Sequence, residues 1–385
     1  MNATWSYPNI IRFGAGRISE LAEACNVAGI RAPLFVTDKG LAQQAITTKA
    51  LSVLADAGIA VAVYSGVSAN PKEDDVSKGV HAYNDAGCDG VVAFGGGSAL
   101  DTGKCIAFMQ GQSRSVWDFE DVGDYWTRAD ADAIAPVIAV PTTAGTGSEV
   151  GRACVITNED SQEKKIIFHP KMLPVSVIAD PALTIGLPAH LTAGTGMDAL
   201  AHCMEAYCAP TFHPMSAGIA LEGIRLVSQA LVRVVADGID LEARSMMMAA
   251  ASMGAVAFQK GLGAIHSLSH PVGAMYNTHH GMTNAVFMPY VLVFNRAQIA
   301  NKIIPMCEAI GIEPGFESLL EWVLDLRKTI KVPHSIAELG VADDAIDLIA
   351  KHAVADPSTG TNPRELTVDG ARQIFLAALE GDINF

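Results

Sequence analysis

The sequence is poor in charged residues, and basic residues are the smaller part of them. Only 17% of the 385 residues are charged, and 26 basic residues against 41 acidic ones give a net charge of −15. Because an acidic surface repels phosphate backbones, we expect no nucleic-acid partner. Half of the residues are hydrophobic, which is enough for large buried layers, and the length favours two domains.

Closely spaced cysteines and long apolar runs are also missing. The seven cysteines are scattered without a C-x-x-C pair, which predicts reduced thiols in a cytosolic chain rather than a disulfide framework. The apolar runs are interrupted or shorter than the roughly 20 residues that a bilayer span needs. The stretch Met1–Pro8 lacks the basic region and apolar core of a signal peptide. We therefore expect a cytoplasmic protein without a membrane partner.

The apolar pattern divides the chain into two halves. Between residues 33 and 179, short apolar runs alternate with amphipathic stretches, which predicts a parallel sheet covered by helices. From Pro188 onward, helical patterns follow one another, broken by Pro210, Pro214, Gly238, Pro289 and Pro305. We expect an α/β domain over residues 1–183 and an all-helical domain over residues 184–385. The predicted strands are Pro33–Thr37, Ile59–Tyr64, Gly90–Phe94 and Pro136–Val140, and the predicted helices are Leu41–Ala57, Asp74–Ala86 and Ser98–Met109.

A glycine-rich turn follows the third predicted strand. Gly95, Gly96 and Gly97 let the backbone approach a ligand closely, and the helix that follows offers free N–H groups to an anion such as a dinucleotide pyrophosphate. The turn is not G-x-G-x-x-G, and strand–glycine–helix turns are common, so a purely structural role stays open. In that role, Ser98 is the N-cap and Asp101 its capping-box partner.

Two further segments support a nucleotide site at the same edge of the sheet. The loop Pro141–Glu149 offers hydroxyls and backbone amides after the next strand, and loop capping explains only one or two of its threonines. Asp38 ends an earlier strand, where a carboxylate accepts hydrogen bonds from an adenosine ribose and repels a 2′-phosphate. That position favours NAD over NADP, and it is compatible with a second role as a helix cap.

The second half carries a pattern that is typical of a metal site. Asp198 and His202 are four residues apart, so on a helix they project from one face. With imidazoles from His266 and His280, they would form a shell of three nitrogens and one oxygen, suited to iron(II), zinc, manganese or cobalt. The segment His266–His270 lacks the glutamate of the H-E-x-x-H zinc peptidases, which disfavours peptide hydrolysis.

Together these motifs resemble the iron-containing, or group III, alcohol dehydrogenase family over nearly the whole chain. The resemblance is strongest to the branch that holds lactaldehyde reductases and 1,3-propanediol dehydrogenases. It implies a dehydroquinate synthase-like architecture, in which an α/β dinucleotide-binding domain precedes an all-α metal-binding domain. The motifs that carry it are Gly95–Ser98 with Asp101 and Lys104, Pro141–Glu149, Gly196–His202, Gly263–His270 and His280–Ala285.

The resemblance also implies roles for individual residues. It assigns the metal to Asp198, His202, His266 and His280, and its His-Gly step selects His280 over His279. It implies Fe²⁺, with Zn²⁺ or Mn²⁺ as substitutes, NAD(H) rather than NADP, and a homodimer or larger homo-oligomer. The residues that match cofactor-contacting positions are Gly97, Ser98, Thr142, Thr143, Thr146, Ser148 and Lys165, and Asp38 matches an aspartate associated with NAD preference.

The expected reaction is hydride transfer between the nicotinamide and a small primary alcohol, diol or hydroxy acid. His266 and His270 are the candidate catalytic residues, with His270 either relaying a proton and holding the nicotinamide or packing beside His266. A glycerol dehydrogenase, a dehydroquinate-synthase-like lyase and a non-catalytic binding module are the alternatives. The candidate pocket residues are Phe258 and Ser358, with Arg152 and Lys260 as candidates to read the carboxylate of 4-hydroxybutyrate or succinic semialdehyde.

Overall fold

A computed structural model describes Ser6, Tyr7 and residues 9–385, so most of the stretch predicted to lack a signal peptide lies outside the described residues. The described chain forms two compact units, and each is considered by itself. One unit spans residues 7–143 and 147–185, and the other spans residues 186–385 with Ser6 and residues 144–146. The boundary predicted between residues 183 and 184 stays a prediction.

The first unit is built on a six-stranded parallel sheet. The strands of this sheet are β1 (Ile10–Phe13), β2 (Pro33–Asp38), β3 (Ala62–Val67), β4 (Gly90–Gly95), β5 (Val137–Pro141) and β8 (Ser176–Ala179). The strands β6 (Ala153–Asn158) and β7 (Glu163–Phe168) lie between β5 and β8 in the chain and form a separate antiparallel hairpin. The strand order is β1-β8-β5-β4-β2-β3. β4 is buried on both faces, as its unbroken apolar run requires in a sheet covered on both sides.

Four helices belong to this unit: α1 (Leu21–Val27), α2 (Ala45–Asp56), α3 (Glu73–Asp85) and α4 (Gly97–Met109). The predicted α/β class is confirmed, but several bounds differ. Leu41–Gln43 forms a separate 3₁₀ turn because Gln44 has an extended backbone, so α2 begins later than predicted. Gly58 takes a positive φ of 73° after α2, and β3 starts only at Ala62. The strand β1 and the β6–β7 hairpin were not among the predicted elements.

The second unit is helical, as predicted, and its described residues contain no strand. Its helices are α5 (Ala189–Cys208), α6 (Pro214–Ala236), α7 (Leu241–Ala257), α8 (Ala264–Tyr276), α9 (His280–Asn295), α10 (Ala300–Ile310), α11 (Phe316–Thr329), α12 (Ile346–Ala355) and α13 (Val368–Glu380). Pro214 begins α6, where its missing N–H is unused. The prediction that Pro289 and Pro305 interrupt helices is wrong, because both lie inside α9 and α10, where neighbouring helices support the chain.

Helix α5 forms the centre of the helical unit. It is apolar on nearly every side and packs against α6, α7 and α9, as expected of a helix without a solvent-facing stripe. The polar side chains of its central and C-terminal turns, Asp198, His202 and Glu205, are therefore buried too. Among the described residues, no helix combines the length and apolarity that crossing a membrane would take.

Candidate metal centre and cofactor loop

Helix α5 places three acid or imidazole side chains on one buried face. Asp198, His202 and Glu205 stand at positions i, i+4 and i+7, so they project in the same direction. Their exposed fractions are 2%, 4% and 7%. Burying two carboxylates between packed helices costs free energy unless a cation or hydrogen bonds compensate their charges.

Three imidazoles converge on Asp198. The Nε2 atoms of His202, His266 and His280 lie 3.9, 3.8 and 3.6 Å from the Asp198 Oδ1 atom. The rings of His202 and His266 are stacked with centroids 4.7 Å apart. Ligand atoms at tetrahedral corners around a cation with bonds of 2.0–2.1 Å are about 3.4 Å apart. The four predicted ligands are thus brought together at a spacing that a divalent cation can close with small movements.

The chemistry of this donor set fits a divalent cation. Asp198 and Glu205 form no ion pair with a lysine or arginine in the part of the chain that the structure describes, so two buried negative charges would balance one dication. Burial lowers the pKa of His202 to about 4, which keeps its imidazole in the neutral form that binds metals. For His266, burial is outweighed by the charge and hydrogen bond of Glu205 and by Asp198, so its pKa is raised.

Glu205, which was not among the predicted site residues, contacts the His266 nitrogen that faces away from Asp198. Glu205 Oε2 lies 2.5 Å from His266 Nδ1, and its Oε1 accepts the Ile265 backbone N–H at 2.7 Å. Asn362 accepts the neighbouring Ala264 N–H at 3.0 Å, so both side chains cap the start of α8. Such carboxylate–histidine pairs fix the tautomer and direction of a metal-binding imidazole. Following the face of α5 one turn beyond His202 would have identified Glu205.

Packing between α5 and α9 determines which of the adjacent residues His279 and His280 faces Asp198. His279 accepts the Met282 backbone N–H and caps α9, while His280 directs its Nε2 atom toward Asp198. A Cβ atom on Gly281 would lie 2.3 Å from the Gly194 carbonyl oxygen. Only glycine therefore lets the start of α9 approach α5 closely enough for His280 to join the set.

His270 lies beside the ligand set and has a carboxylate partner, Asp356, that was not among the predicted site residues. Its Nδ1 atom is 2.7 Å from Asp356 Oδ2, and its ring stacks on His280 at a centroid distance of 5.4 Å. Burial opposes ionisation of Asp356, but the charge and hydrogen bond of His270 outweigh it and lower the Asp356 pKa. Asp356 also accepts the Ser358 backbone N–H, which holds the loop that carries it.

The predicted pocket residues have different surroundings. The Phe258 ring lies 5.2 Å from the His202 ring, so it forms part of the wall around the metal ligands. Lys260 Nζ is buried and donates to the carbonyls of Ala206, Tyr207 and Ala209 at the end of α5. An ammonium has three N–H donors, so this geometry does not support Lys260 as a reader of a substrate carboxylate. Ser358 is buried in the capped loop after Asp356.

In the sheet unit, the backbone of the glycine turn packs closely against neighbouring side chains. Gly95 has a φ of 150°, and a Cβ there would lie 2.7 Å from the Ala99 Cβ atom. The prediction that Ser98 is the N-cap is wrong: Gly96 is the N-cap, and Ser98 Oγ donates to the Ala69 carbonyl at 2.6 Å. Gly96 lies against Thr143, which would contact a Cβ at 3.2 Å. The first N–H groups of α4 are thus presented at the end of β4.

Asp101 ties two loops together instead of forming a capping box, which corrects that prediction. Its carboxylate accepts the Ser148 hydroxyl at 2.5 Å and the Val155 backbone N–H at 3.0 Å, and it pairs with Lys104 at 3.3 Å. Lys104 is buried and donates to the Ser148 and Ala153 carbonyls. Asp101 and the Ser148 hydroxyl therefore hold the end of the threonine-rich loop in place.

The other predicted cofactor residues are spread over both units. Asp38 accepts the Leu41 N–H at 2.8 Å and so caps the turn after β2. Thr142 is buried and its N–H donates to the Gly95 carbonyl, whereas Thr146 belongs to the helical unit. Lys165 pairs with Glu120 and Glu163 on the hairpin side. Arg152, which was predicted as a pocket residue, lies over the Phe168 ring at 5.5 Å.

A parallel-sheet unit with a glycine turn and a helical unit with clustered Asp and His side chains are the parts expected of a metal-dependent dehydrogenase. Residues 8–181 match the family described as iron-containing alcohol dehydrogenase, and residues 192–379 match the Fe-containing alcohol dehydrogenase family, C-terminal. The chain therefore belongs to the iron-containing alcohol dehydrogenase family. It is an enzyme, an alcohol dehydrogenase that acts on CH–OH groups, as the sequence analysis predicted.

Individual relatives agree with this assignment. The 4-hydroxybutyrate dehydrogenase of Cupriavidus necator is 39% identical, covering 96% of this chain and 98% of that protein. The NAD-dependent methanol dehydrogenase of Bacillus methanolicus is 34% identical, covering 95% and 97%. A crystal structure of 1,3-propanediol oxidoreductase superposes with a TM-score of 0.93 at 34% identity, covering 98% of this chain and all of that chain.

Proposed function

We propose that this alcohol dehydrogenase uses a divalent metal, preferably Fe²⁺, and NAD(H) to interconvert small primary alcohols or diols and their aldehydes. The observation that carries the proposal is the convergence of three imidazole Nε2 atoms on the buried carboxylate of Asp198. A divalent cation held there supplies a Lewis acid that polarises the oxygen of an alcohol or aldehyde. Zn²⁺ and Mn²⁺ suit the same ligands and are the expected substitutes.

In this proposal, Asp198, His202, His266 and His280 hold the metal, and Glu205 fixes the tautomer of His266. His270 has its Nδ1 atom against Asp356, so its Nε2 atom is left to accept a proton when the ring is neutral and to donate one when the ring is protonated. That nitrogen is placed beside His280, so we assign it to holding or passing the proton of the alcohol, or to orienting the nicotinamide. Phe258 then excludes water from the side of His202.

The proposed nucleotide site is the glycine turn of the sheet unit. The N–H groups at the start of α4 suit a pyrophosphate, and the small Gly95 and Gly96 allow it to approach. Asp38 places a carboxylate at the end of β2, where a 2′-phosphate would meet like charge, which supports NAD over NADP. The name of the NAD-dependent methanol dehydrogenase relative points the same way.

A second candidate substrate is 4-hydroxybutyrate, because a relative with 39% identity carries that name. Lys260 is committed to the end of α5, so the neutral alcohols are the first choice. We also propose a cytoplasmic homodimer or larger assembly. The seven free cysteines fit a reducing compartment, and light scattering after gel filtration measures the assembly.

The test is an anaerobic preparation of the full chain, stripped with a chelator and reloaded with Fe²⁺ or Zn²⁺. NADH formation is then followed with 1,3-propanediol, ethanol and 4-hydroxybutyrate, and each assay is repeated with NADP. We expect turnover only after reloading, with NAD preferred and a neutral alcohol fastest. Turnover by the stripped protein would contradict the metal assignment. A preference for NADP would contradict the role of Asp38, and product without net NADH would indicate a lyase.

A further inference from the structure

Asn284 lies at the centre of the proposed metal ligands. It stands in the second turn of α9 and is fully buried. Its Nδ2 atom lies 2.7 Å from Asp198 Oδ1, 3.2 Å from His266 Nε2 and 3.2 Å from His280 Nε2. One carboxamide thus contacts three of the four atoms that would face the cation.

The chemistry of these contacts fixes which end of the carboxamide faces the ligands. An ionised carboxylate only accepts hydrogen bonds, so the atom 2.7 Å from Asp198 has to be the nitrogen and not the oxygen. Asn284 Oδ1 is buried and has no hydrogen-bond partner among the described residues. The position of this side chain is therefore set by its N–H donors.

Metal binding would affect the three contacts differently. A neutral imidazole Nε2 has a single lone pair, so it cannot accept from Asn284 and bind a cation at the same time. A carboxylate oxygen has two lone pairs, and metal-binding carboxylates commonly accept a hydrogen bond as well. The contact to Asp198 can therefore persist in the loaded enzyme, while the contacts to His266 and His280 belong to the metal-free protein.

We propose that Asn284 is a positioning residue of the metal centre. One N–H directs Asp198 Oδ1 toward the cation, and in the metal-free protein the carboxamide also bridges His266 and His280, so the ligand set stays assembled. This inference rests on the proposed metal centre. It predicts that Asn284 acts through its donors and not through its volume.

Two substitutions separate donors from volume. Asn284→Ala removes both, whereas Asn284→Leu removes the donors and keeps a side chain of similar size. Thr283→Val is the matched control, because Thr283 is equally buried on α9 but its hydroxyl bonds, among the described residues, to Thr278 and the His279 carbonyl and not to a proposed ligand. The Zn²⁺ affinity of each full-length protein is measured by competition with a chromophoric chelator. We expect both Asn284 variants to bind Zn²⁺ about 10–100-fold more weakly, as for other residues that orient metal ligands, and the control to bind like the wild type.

A second measurement covers variants that fold poorly. The rise in melting temperature on adding Zn²⁺ compares each protein with its own metal-free form, so it reports the metal and not the loss of packing. We expect a smaller rise for both Asn284 variants than for Thr283→Val. Wild-type affinity in Asn284→Leu would show that volume suffices and overturn the inference. Co²⁺ spectra in which both variants have lost a ligand that the wild type has would make Asn284 a ligand and overturn it too. If the wild type itself bound no divalent metal, the proposed function would fail first.

Discussion

The proposed metal centre is built from side chains, whereas the proposed nucleotide site at the glycine turn is built from backbone N–H groups. In the helical unit, side chains from α5, α8 and α9 make the site, and the backbone only carries them. In the sheet unit, backbone N–H groups face the proposed nucleotide, and side chains such as Asp101 and Lys104 brace the loops. A site made of side chains loses its ligand when one chemical group is removed. A site made of backbone N–H groups loses its ligand when the backbone conformation changes.

The supports of the two sites differ in the same way. Glu205, Asn284 and Asp356 each bond to a ligand or its neighbour, so they control the direction of an imidazole or a carboxylate. Asp101 bonds to the Ser148 hydroxyl and the Val155 N–H, so it controls where a loop runs. Substitutions should therefore separate metal retention from nucleotide binding.

The largest expected effect follows removal of a ligand. His202→Ala should release the metal and lower kcat/KM by at least about 10³-fold, because the Lewis acid is lost. Metal content is measured by plasma mass spectrometry, turnover by NADH absorbance and NAD binding by titration calorimetry. His190→Ala, an exposed histidine on the same helix, is the control. A parallel loss of NAD affinity in His202→Ala would contradict the separation of the two sites.

Bending the glycine turn should give the converse result. Gly95→Ala puts a Cβ 2.7 Å from Ala99 at a φ of 150°, a strain of about 1–3 kcal/mol. If this strain energy weakens NAD binding, the NAD KM rises by about 10–100-fold. The metal content stays at that of the wild type. Gly186→Ala has no atom within 4 Å of its new Cβ and serves as the control. An unchanged NAD KM would place the nucleotide elsewhere.

Glu205→Gln tests the support of His266. The amide still offers an oxygen to Ile265, but its NH₂ group faces His266 Nδ1 and favours the tautomer with a proton on Nε2, which cannot bind metal. We expect metal affinity to fall about 10–100-fold, measured by chelator competition, with NAD affinity unchanged. Glu222→Gln on α6, whose partner is Arg225, should leave both affinities alone. Equal metal affinity in both variants would remove Glu205 from the site.

The smallest expected effect is a pH dependence of stability that arises from Lys260. Burial, helped by the charge of Lys302, lowers the pKa of Lys260 to about 8 from the ordinary 10.5. Between these values the folded protein binds fewer protons than the unfolded chain, so the free energy of unfolding rises with pH. Relative to Lys260→Met, the wild type should gain on the order of 1–3 kcal/mol from pH 8 to pH 10.5, with no change below pH 8.

This difference is measured by urea unfolding of both proteins at several pH values. Lys351→Met, at an exposed lysine on α12, is the control and should follow the wild type. A pH dependence that Lys260→Met shares with the wild type would show that Lys260 does not titrate in this range. Turnover on 4-hydroxybutyrate and on neutral alcohols should fall in parallel in Lys260→Met, since the side chain supports α5.

Local patterns explain which predictions held. The alternation of apolar runs predicted β2, β4, β5, α3 and α4 to within a few residues. A buried parallel strand and its covering helix each have a characteristic pattern of apolar residues over a short stretch of sequence. The edge strand β1 has only four residues and includes Arg12, and the antiparallel β6–β7 hairpin has no helix between its strands, so neither follows this pattern. Ser98 and Asp101 have the right spacing for a capping box, but the tertiary partners Ala69, Ser148 and Val155 take their side chains.

The sequence by itself determined the pieces of the two sites: a carboxylate and an imidazole one turn apart on α5, a glycine turn after a buried strand, and the family to which the chain belongs. Only the tertiary structure decided how the pieces are completed. Glu205 meets His266 across 61 residues, and Asp198 meets Asn284 across 86. Such partners depend on how α5, α8 and α9 pack, and helix packing is a property of whole faces that no local spacing encodes.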